Sequence, residues 1–349
     1  MYIKPVYIAS VFLFHLVSGL VIPHSTANEL NKRIINGFLM PQVFAPYVVS
    51  LLKKSDDGWF VCGGTIVSDQ HIVTAAHCVI DSDGKGMPSA NISIGYGSPD
   101  KDKQKSVSTT KVTVHPKYAN GKDRNSNYDI AVLQIPKLTF NANTQRIPIF
   151  SGNIGPNQSL MATGWGGTED TAIYNNILRG VIVITGDQAD CNKLNSGFES
   201  NDGPQVCTLG KLTPNHSTCG GDSGTSVVIS KNKKQMFVGL DSIAVYPSGG
   251  SCGVSTSGHF YVNPYYHIDF ITTSTGLTKA YLTDESSAVA GTNDNADDSS
   301  SVVSDMESSI NKDLVSSGSH TSSTKTSTVV MITKIVLQTP SHLPALPAY

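Results

Sequence analysis

The sequence predicts an all-β protein of barrel or sandwich type, and three observations carry that prediction. From Ile34 to about Ser274 the apolar residues come in runs of about four to eight, bounded by Gly, Pro, Asn and Asp. The 349 residues hold 31 Gly and 17 Pro with only 7% aromatics, which works against a continuous helical bundle or coiled coil. A single segment has a convincing helical pattern, and it lies at the end of this region.

Taken in order, Val48–Leu52, Thr65–Val67, His71–Thr74, Val112–Val114, Ile130–Ile135, Val181–Ile184, Ser226–Ile229 and Phe237–Leu240 read as strands, each short and stopped by turn-forming residues. The helix is expected over Pro264–Ile271: a proline opens it, and apolar residues recur at three- and four-residue spacing, enough to pack one face on a barrel. No repeat at solenoid period is visible.

The two ends differ from this middle. Lys4 precedes an apolar stretch from Val6 to Val17, followed by the small residues Ser18 and Gly19, the layout of a secretory signal over residues 1–19. A polar stretch, 20–33, ends in the dibasic pair Lys32-Arg33 before Ile34-Ile35-Asn36-Gly37. By itself the pair reads equally as an exposed basic pair or as a processing site. At the other end, 20 of the 46 residues in 283–328 are Ser or Thr and none is aromatic, too little apolar surface to offset chain entropy. Residues 276–349 are therefore expected to be a disordered Ser/Thr-rich tail. Lys334 interrupts its apolar end and prolines follow, so membrane anchoring is not expected.

The formal net charge is −2, without the clustered basic field that a nucleic-acid surface needs, and no nucleic acid partner is expected. Secretion implies an oxidising compartment, where six cysteines read as a disulfide set. Neither CxxC spacing nor HExxH is present, and the polar loop Gly95–Lys105 lacks a set of acidic ligands, so neither metal nor cofactor is expected. Asn91-Ile92-Ser93, Asn157-Gln158-Ser159 and Asn215-His216-Ser217 are glycosylation sequons.

Three local patterns carry chemistry: Thr74-Ala75-Ala76-His77-Cys78, Asn127-Tyr128-Asp129-Ile130-Ala131-Val132-Leu133 and Cys219-Gly220-Gly221-Asp222-Ser223-Gly224. Acyl transfer at neutral pH needs a hydroxyl nucleophile, a base to take its proton and a carboxylate to hold that base in one tautomer. Singly, His77 could be a packed histidine, Asp129 a strand-edge cap and Ser223 a turn serine. Together, in the order His, Asp, Ser with gaps of 52 and 94 residues, they resemble the chymotrypsin/trypsin family of serine proteases. The resemblance runs from residue 34 to about 274 and includes Cys62-Gly63-Gly64, Gly164-Trp165-Gly166 and the terminal helix.

That resemblance implies two antiparallel six-stranded β-barrels, with the active site in the cleft between them and a C-terminal helix, over residues 34–275. It implies His77 as general base and acid, Asp129 as its orienting carboxylate, Ser223 as nucleophile, and the N–H groups of Gly221 and Ser223 as an oxyanion hole. It also gives the dibasic pair a purpose: 20–33 becomes an activation propeptide removed by a protease cutting after Arg33, and the new amino group of Ile34 pairs with Asp222. The disulfides it implies are Cys62–Cys78, Cys191–Cys207 and Cys219–Cys252. The substrate pocket would be lined by Ser217, Asp241, Ser242, Ile243, Ala244 and Gly258, and Ser242 would also hydrogen-bond the carboxylate of Asp129.

The expected function is that of a secreted, monomeric serine endopeptidase acting on protein or peptide substrates through an acyl-enzyme. The alternative is a protease-shaped binding or regulatory module with weak or no turnover. Ser217, six residues before Ser223, leaves the pocket base neutral and suits large apolar side chains, whereas Asp241 could supply negative charge from the side. A Gly/Pro/Ser-rich insertion, Val245–Ser251, could reshape the rim, and Thr225, where glycine is common, packs a larger side chain beneath the active loop and could loosen activity without abolishing it.

Overall fold

The computed structural model describes residues 34–35, 37–55, 58–81, 84–118, 126–167, 176–247 and 252–291. The expected signal and propeptide, and the tail beyond residue 291, lie outside these described residues. After a two-residue strand β1 (Phe38–Leu39), seven strands form the first sheet: β2 (Val48–Ser55), β3 (Gly58–Ser68), β4 (His71–Thr74), β5 (Ile92–Tyr96), β6 (Lys105–Ser108), β7 (Lys111–Val114) and β8 (Ala131–Gln134). Their order is β6-β5-β2-β3-β4-β8-β7, all antiparallel. Only Thr109 and Thr110 separate β6 from β7, so the two act as one bent strand that pairs first with β5 and then with β8. The sheet thereby closes as six strands, which removes its free edges.

The second sheet is built from β9 (Ser159–Gly164), β10 (Arg179–Ile184), β11 (Gln205–Leu209), β12 (Ser226–Lys231), β13 (Lys234–Val245) and β14 (Gly258–Val262), in the order β10-β9-β12-β13-β14-β11. A bridge between Thr185 and Thr208, with Gly186 N–H donating to Cys207 O at 3.0 Å, joins β11 back to β10. Two short strands sit outside this ring: β1 against β10, and β15 (Val289–Ala290) against β13. The two-barrel architecture expected from the resemblance is what the chain adopts.

Each predicted strand falls on one of these elements; Ile130–Ile135 overruns β8 by one residue at each end, and β4 has the predicted bounds. Strands β11 and β14 escaped prediction because every residue of each is buried, so neither shows the alternation of a half-exposed strand. A second helix, α1 (Gln188–Leu194), was not expected either; Asp187 caps it by accepting from Asp190 N–H at 2.8 Å. The terminal helix α2 spans Ile268–Thr275 and starts later than predicted. Asn263 Oδ1 takes the N–H groups of Tyr265 and Tyr266, which turns Pro264–His267 before the helix begins. Ile268 and Ile271 of α2 are buried in the same core as Ile72 and Leu133 of the first barrel.

The boundary expected at residue 275 falls short. Beyond α2, a short helix α3 (Lys279–Leu282) leads to β15, and Leu282 and Val289 are both buried. Ile149 N–H donates to Leu282 O at 2.8 Å, Arg146 donates to Tyr281 O at 3.0 Å, and Gln235 Nε2 donates to Ala290 O at 2.7 Å. Residues 277–291 are thus packed against the barrels. Averaging composition over a long Ser/Thr-rich window hid the few apolar residues that anchor them.

Candidate active site

The β4 strand runs into a 3-10 turn, Ala76–Cys78, that presents His77, and the Cys62–Cys78 disulfide fastens this turn to β3. Asp129 precedes β8, the neighbour of β4, so antiparallel pairing of Thr74 with Ala131 brings histidine and carboxylate together. His77 Nδ1 lies 2.7 Å from Asp129 Oδ2, and His77 N–H donates to Asp129 Oδ1 at 2.9 Å. Behind them, His267 at the start of α2 hydrogen-bonds Asn127 O at 2.7 Å and fixes the segment that carries Asp129.

A third donor reaches the same carboxylate. The register of β13 against β14 shifts between Asp241 and Ile243, and the bulge at Ser242 aims its hydroxyl at Asp129 Oδ2, 2.6 Å away. Burial alone would raise the Asp129 pKa; the His77 charge and the hydrogen bonds from His77 and Ser242 outweigh it and hold the group below the usual carboxylate range. Asp129 is therefore a fixed anion, able to keep the His77 ring proton on Nδ1, which makes Nε2 the acceptor of the ring.

Ser223 comes from the other barrel, on the loop before β12. Its carbonyl accepts from Gly63 N–H at 2.8 Å and lies 3.7 Å from Cys78 Sγ, next to His77. The loop is held from below: Gly224 N–H donates to Asp241 O at 2.7 Å and Thr225 N–H to Asp222 O at 3.0 Å. Thr225 is buried, its hydroxyl also donates to Asp222 O at 2.6 Å, and its methyl presses on the face of Gly63. Thr225 thus packs beneath the loop and braces it. Neither Gly221 N–H nor Ser223 N–H is taken up within the described residues.

Asp222 is fully buried and accepts from Gly166 N–H at 2.7 Å and Cys219 N–H at 2.9 Å. A Cβ on Gly164 or Gly166 would run into its carboxyl group, which is the physical reason for glycine on both sides of Trp165. Burial, and then the charge of Asp241, push the Asp222 pKa up to about 8. Ile34 is also buried, and Ile35 bridges to Ser217 next to the Ser223 loop.

Among the other expected residues, Ser217 and Asp241 are buried, Ile243 is half-buried against Phe260 and its neighbours, and Ala244 is exposed. Beyond Leu240, β13 has left β12 and its strand pairing is with β14 alone among the described residues. Gly258 faces Leu194. The residue that turns toward Thr218 is His259, which sequence reasoning passed over: its Nδ1 is 3.3 Å from Thr218 Oγ1. A lone buried histidine in an unpredicted strand gave no sequence signal. The remaining disulfides pair Cys191 with Cys207 and Cys219 with Cys252. The sulfurs of Cys62 and Cys78 lie beside His77, but they are joined to each other and offer no thiolate to a metal.

The Trypsin family profile matches residues 34–269, both barrels and the start of α2. The chain belongs to the trypsin family. Its similarity to chymotrypsin-like elastase family member 1 of Canis lupus familiaris is 29% identity over 256 residues, covering 71% of this chain and 95% of that protein. To brachyurin of Leptuca pugilator it is 30% identical over 64% of this chain and 91% of that protein. Trypsin I-P1 of Gallus gallus is 26% identical, over 60% and 79%. The chain is thus a serine endopeptidase, a hydrolase of the chymotrypsin/trypsin type, with protein substrates.

Proposed function

We propose that this endopeptidase works through a Ser223–His77–Asp129 triad and an acyl-enzyme intermediate. The observation that carries the reading is the triple hold on Asp129, from His77 Nδ1, His77 N–H and the Ser242 hydroxyl, beside a Ser223 loop with two N–H groups that have no partner among the described residues. In the first half-reaction Ser223 Oγ attacks the substrate carbonyl and its proton passes to His77 Nε2. The oxygen that gains charge accepts from Gly221 and Ser223 N–H, donors of the kind worth about 3–4 kcal/mol in the transition state. His77 then gives its proton to the leaving amine, and an ester to Ser223 remains. Water, deprotonated by His77, attacks the ester and releases the acid, which restores the serine.

Activation and location belong to the same proposal. Cleavage after Arg33 by another protease would free the Ile34 amino group, a cation for the buried Asp222. Residues 1–19 direct secretion, and the three disulfides fit an oxidising compartment. No helix among the described residues is long and apolar enough to cross a membrane. Asn157 and Asn215 are exposed on turns and Asn91 is half-buried, which suits the first two best for carrying a glycan. The test is labelling of protein that begins at Ile34 with a neutral fluorophosphonate. Labelling that disappears in Ser223→Ala supports the triad, and no labelling of correctly processed protein rejects it.

A further inference from the structure

Asp129 stands at the end of a tight turn, and side chains from outside the first barrel's strands hold that turn. The 3-10 turn Ser126–Tyr128 offers three carbonyls. Ser126 O accepts from Asp129 N–H at 3.3 Å and Tyr128 O from Ile130 N–H at 2.7 Å, so the first and third are bonded within the segment itself. The middle one, Asn127 O, accepts from His267 Nε2 at 2.7 Å, a contact across 140 residues of chain. The Ser126 hydroxyl is met as well: Gln205 Nε2 of β11 donates to it at 3.2 Å.

The His267 contact is made at a local cost. His267 occupies the N-cap of α2, where Ser, Thr, Asp or Asn would accept a hydrogen bond from the first turn of the helix, yet its side chain makes no cap hydrogen bond. The ring is packed instead among aromatic neighbours, T-shaped to Tyr128, His115 and Tyr266 at centroid distances of 5.6, 5.3 and 5.1 Å. Those contacts fix its plane. Because Asn127 O can only accept, the proton of the neutral ring belongs on Nε2. Burial first, and His115 next, lower the His267 pKa to about 4, so near neutral pH the ring is a steady uncharged donor. Gln205 is oriented in a similar way. It is buried, and its Oε1 accepts from Asn195 Nδ2 at 2.9 Å, which turns the amide so that Nε2 faces Ser126. The bonds to His77 and Ser242 fix where the Asp129 oxygens point, while these two donors fix the backbone from which the side chain projects.

We propose that His267 and Gln205 are positioning residues for the reaction: they set the place of the Ser126–Tyr128 turn, and with it the alignment of Asp129 on His77. The proposal rests on Ser223, His77 and Asp129 acting as the triad. Rate depends steeply on the placement of such groups, so loss of one donor should be visible in kinetics even where the fold is intact.

The test is the rate at which a neutral fluorophosphonate labels Ser223 in chain beginning at Ile34, at a temperature where melting curves show every variant fully folded. His267→Phe keeps a ring in the aromatic cluster and removes the donor, and its labelling rate should fall by roughly five- to tenfold. His267→Gln returns an N–H donor and should recover most of that loss. Ser126→Ala takes away the acceptor of Gln205 and should slow labelling by roughly threefold. Labelling of His267→Phe at the parent rate overturns the proposal, and so does a His267→Gln protein as slow as His267→Phe, since the ring would then serve only to pack. If His267→Phe fails to fold, Ser126→Ala decides: slower labelling supports the proposal and the parent rate overturns it. No labelling of the parent chain rejects the triad and the proposal with it, whereas a labelled parent with unchanged variants rejects the proposal alone.

Discussion

The Ser242 hydroxyl donates to Asp129 Oδ2 at 2.6 Å, the same oxygen that His77 Nδ1 meets at 2.7 Å. One carboxylate oxygen thus carries both the histidine of the first barrel and a serine from a bulge in the second. Orientation of His77 depends on the two barrels being docked.

Removing that hydroxyl should cost activity before it costs stability. A hydrogen bond to a charged group is worth about 1.5–3 kcal/mol, and without it the net lowering of the Asp129 pKa shrinks. Ser242→Ala should therefore reduce kcat/KM by roughly tenfold with a smaller change in Tm. Its acid limb should move to higher pH, because Asp129 then protonates sooner. A pH profile of kcat/KM checks both, and an unchanged profile would show that Ser242 only packs.

Asp222 predicts a difference between uncut and cut chains. Its folded pKa of about 8 lies far above the ordinary carboxylate value, so between about pH 4 and pH 8 the folded state binds more protons than the unfolded one. The stability present below pH 4 is lost as pH rises through 8, and Asp241, near 7, adds to the slope. Uncut protein should melt at lower temperature at pH 8 than at pH 5, and Asp222→Asn should flatten that difference. In cut protein Asp222→Asn should instead lower labelling of Ser223, since asparagine cannot pair with the Ile34 amino group.

Gly63 and Thr225 should prove coupled. A methyl at 63 would collide with the Thr225 methyl, and overpacking of this kind costs about 1–3 kcal/mol. Gly63→Ala should lower Tm by several degrees, and Thr225→Gly in the same protein should recover part of that loss. Four melting curves, one for each corner of the cycle, measure the interaction.

Truncation should locate the end of the folded unit. Chain ending at Gly276 loses Leu282 and Val289 from the core and leaves Arg146 without Tyr281 O, whereas chain ending at Gly291 keeps all three. Burying one large aliphatic side chain is worth about 1.5–3 kcal/mol. The shorter chain should therefore melt well below the longer one, and equal melting temperatures would show that 277–291 adds nothing.

How much of this was legible in the chain depends on how local each signal is. Short runs with turn residues between them announced strands, because a strand's length and its stops are set within a few residues. His77, Asp129 and Ser223 stood out through their immediate neighbours, and Gly164 and Gly166 were visible as a pattern whose reason, the carboxyl group of Asp222, was not. By contrast β11 and β14 were missed because full burial erases alternation, and the anchored segment 277–291 was missed because Leu282 and Val289 are few and find their partners in distant strands.

The sequence by itself therefore determined the class of fold, the order of the chemical groups and the family, all of which follow from residue type at short spacing. The resemblance pointed Ser242 at Asp129, but only the tertiary structure supplied the bulge that brings them together, and it alone decided that Thr225 braces the loop and that His259 meets Thr218. Those relations rest on one bulge and on strand registers between segments tens of residues apart. A shift of one residue turns every side chain of a strand to the other face, so such contacts exist only once the barrels have closed.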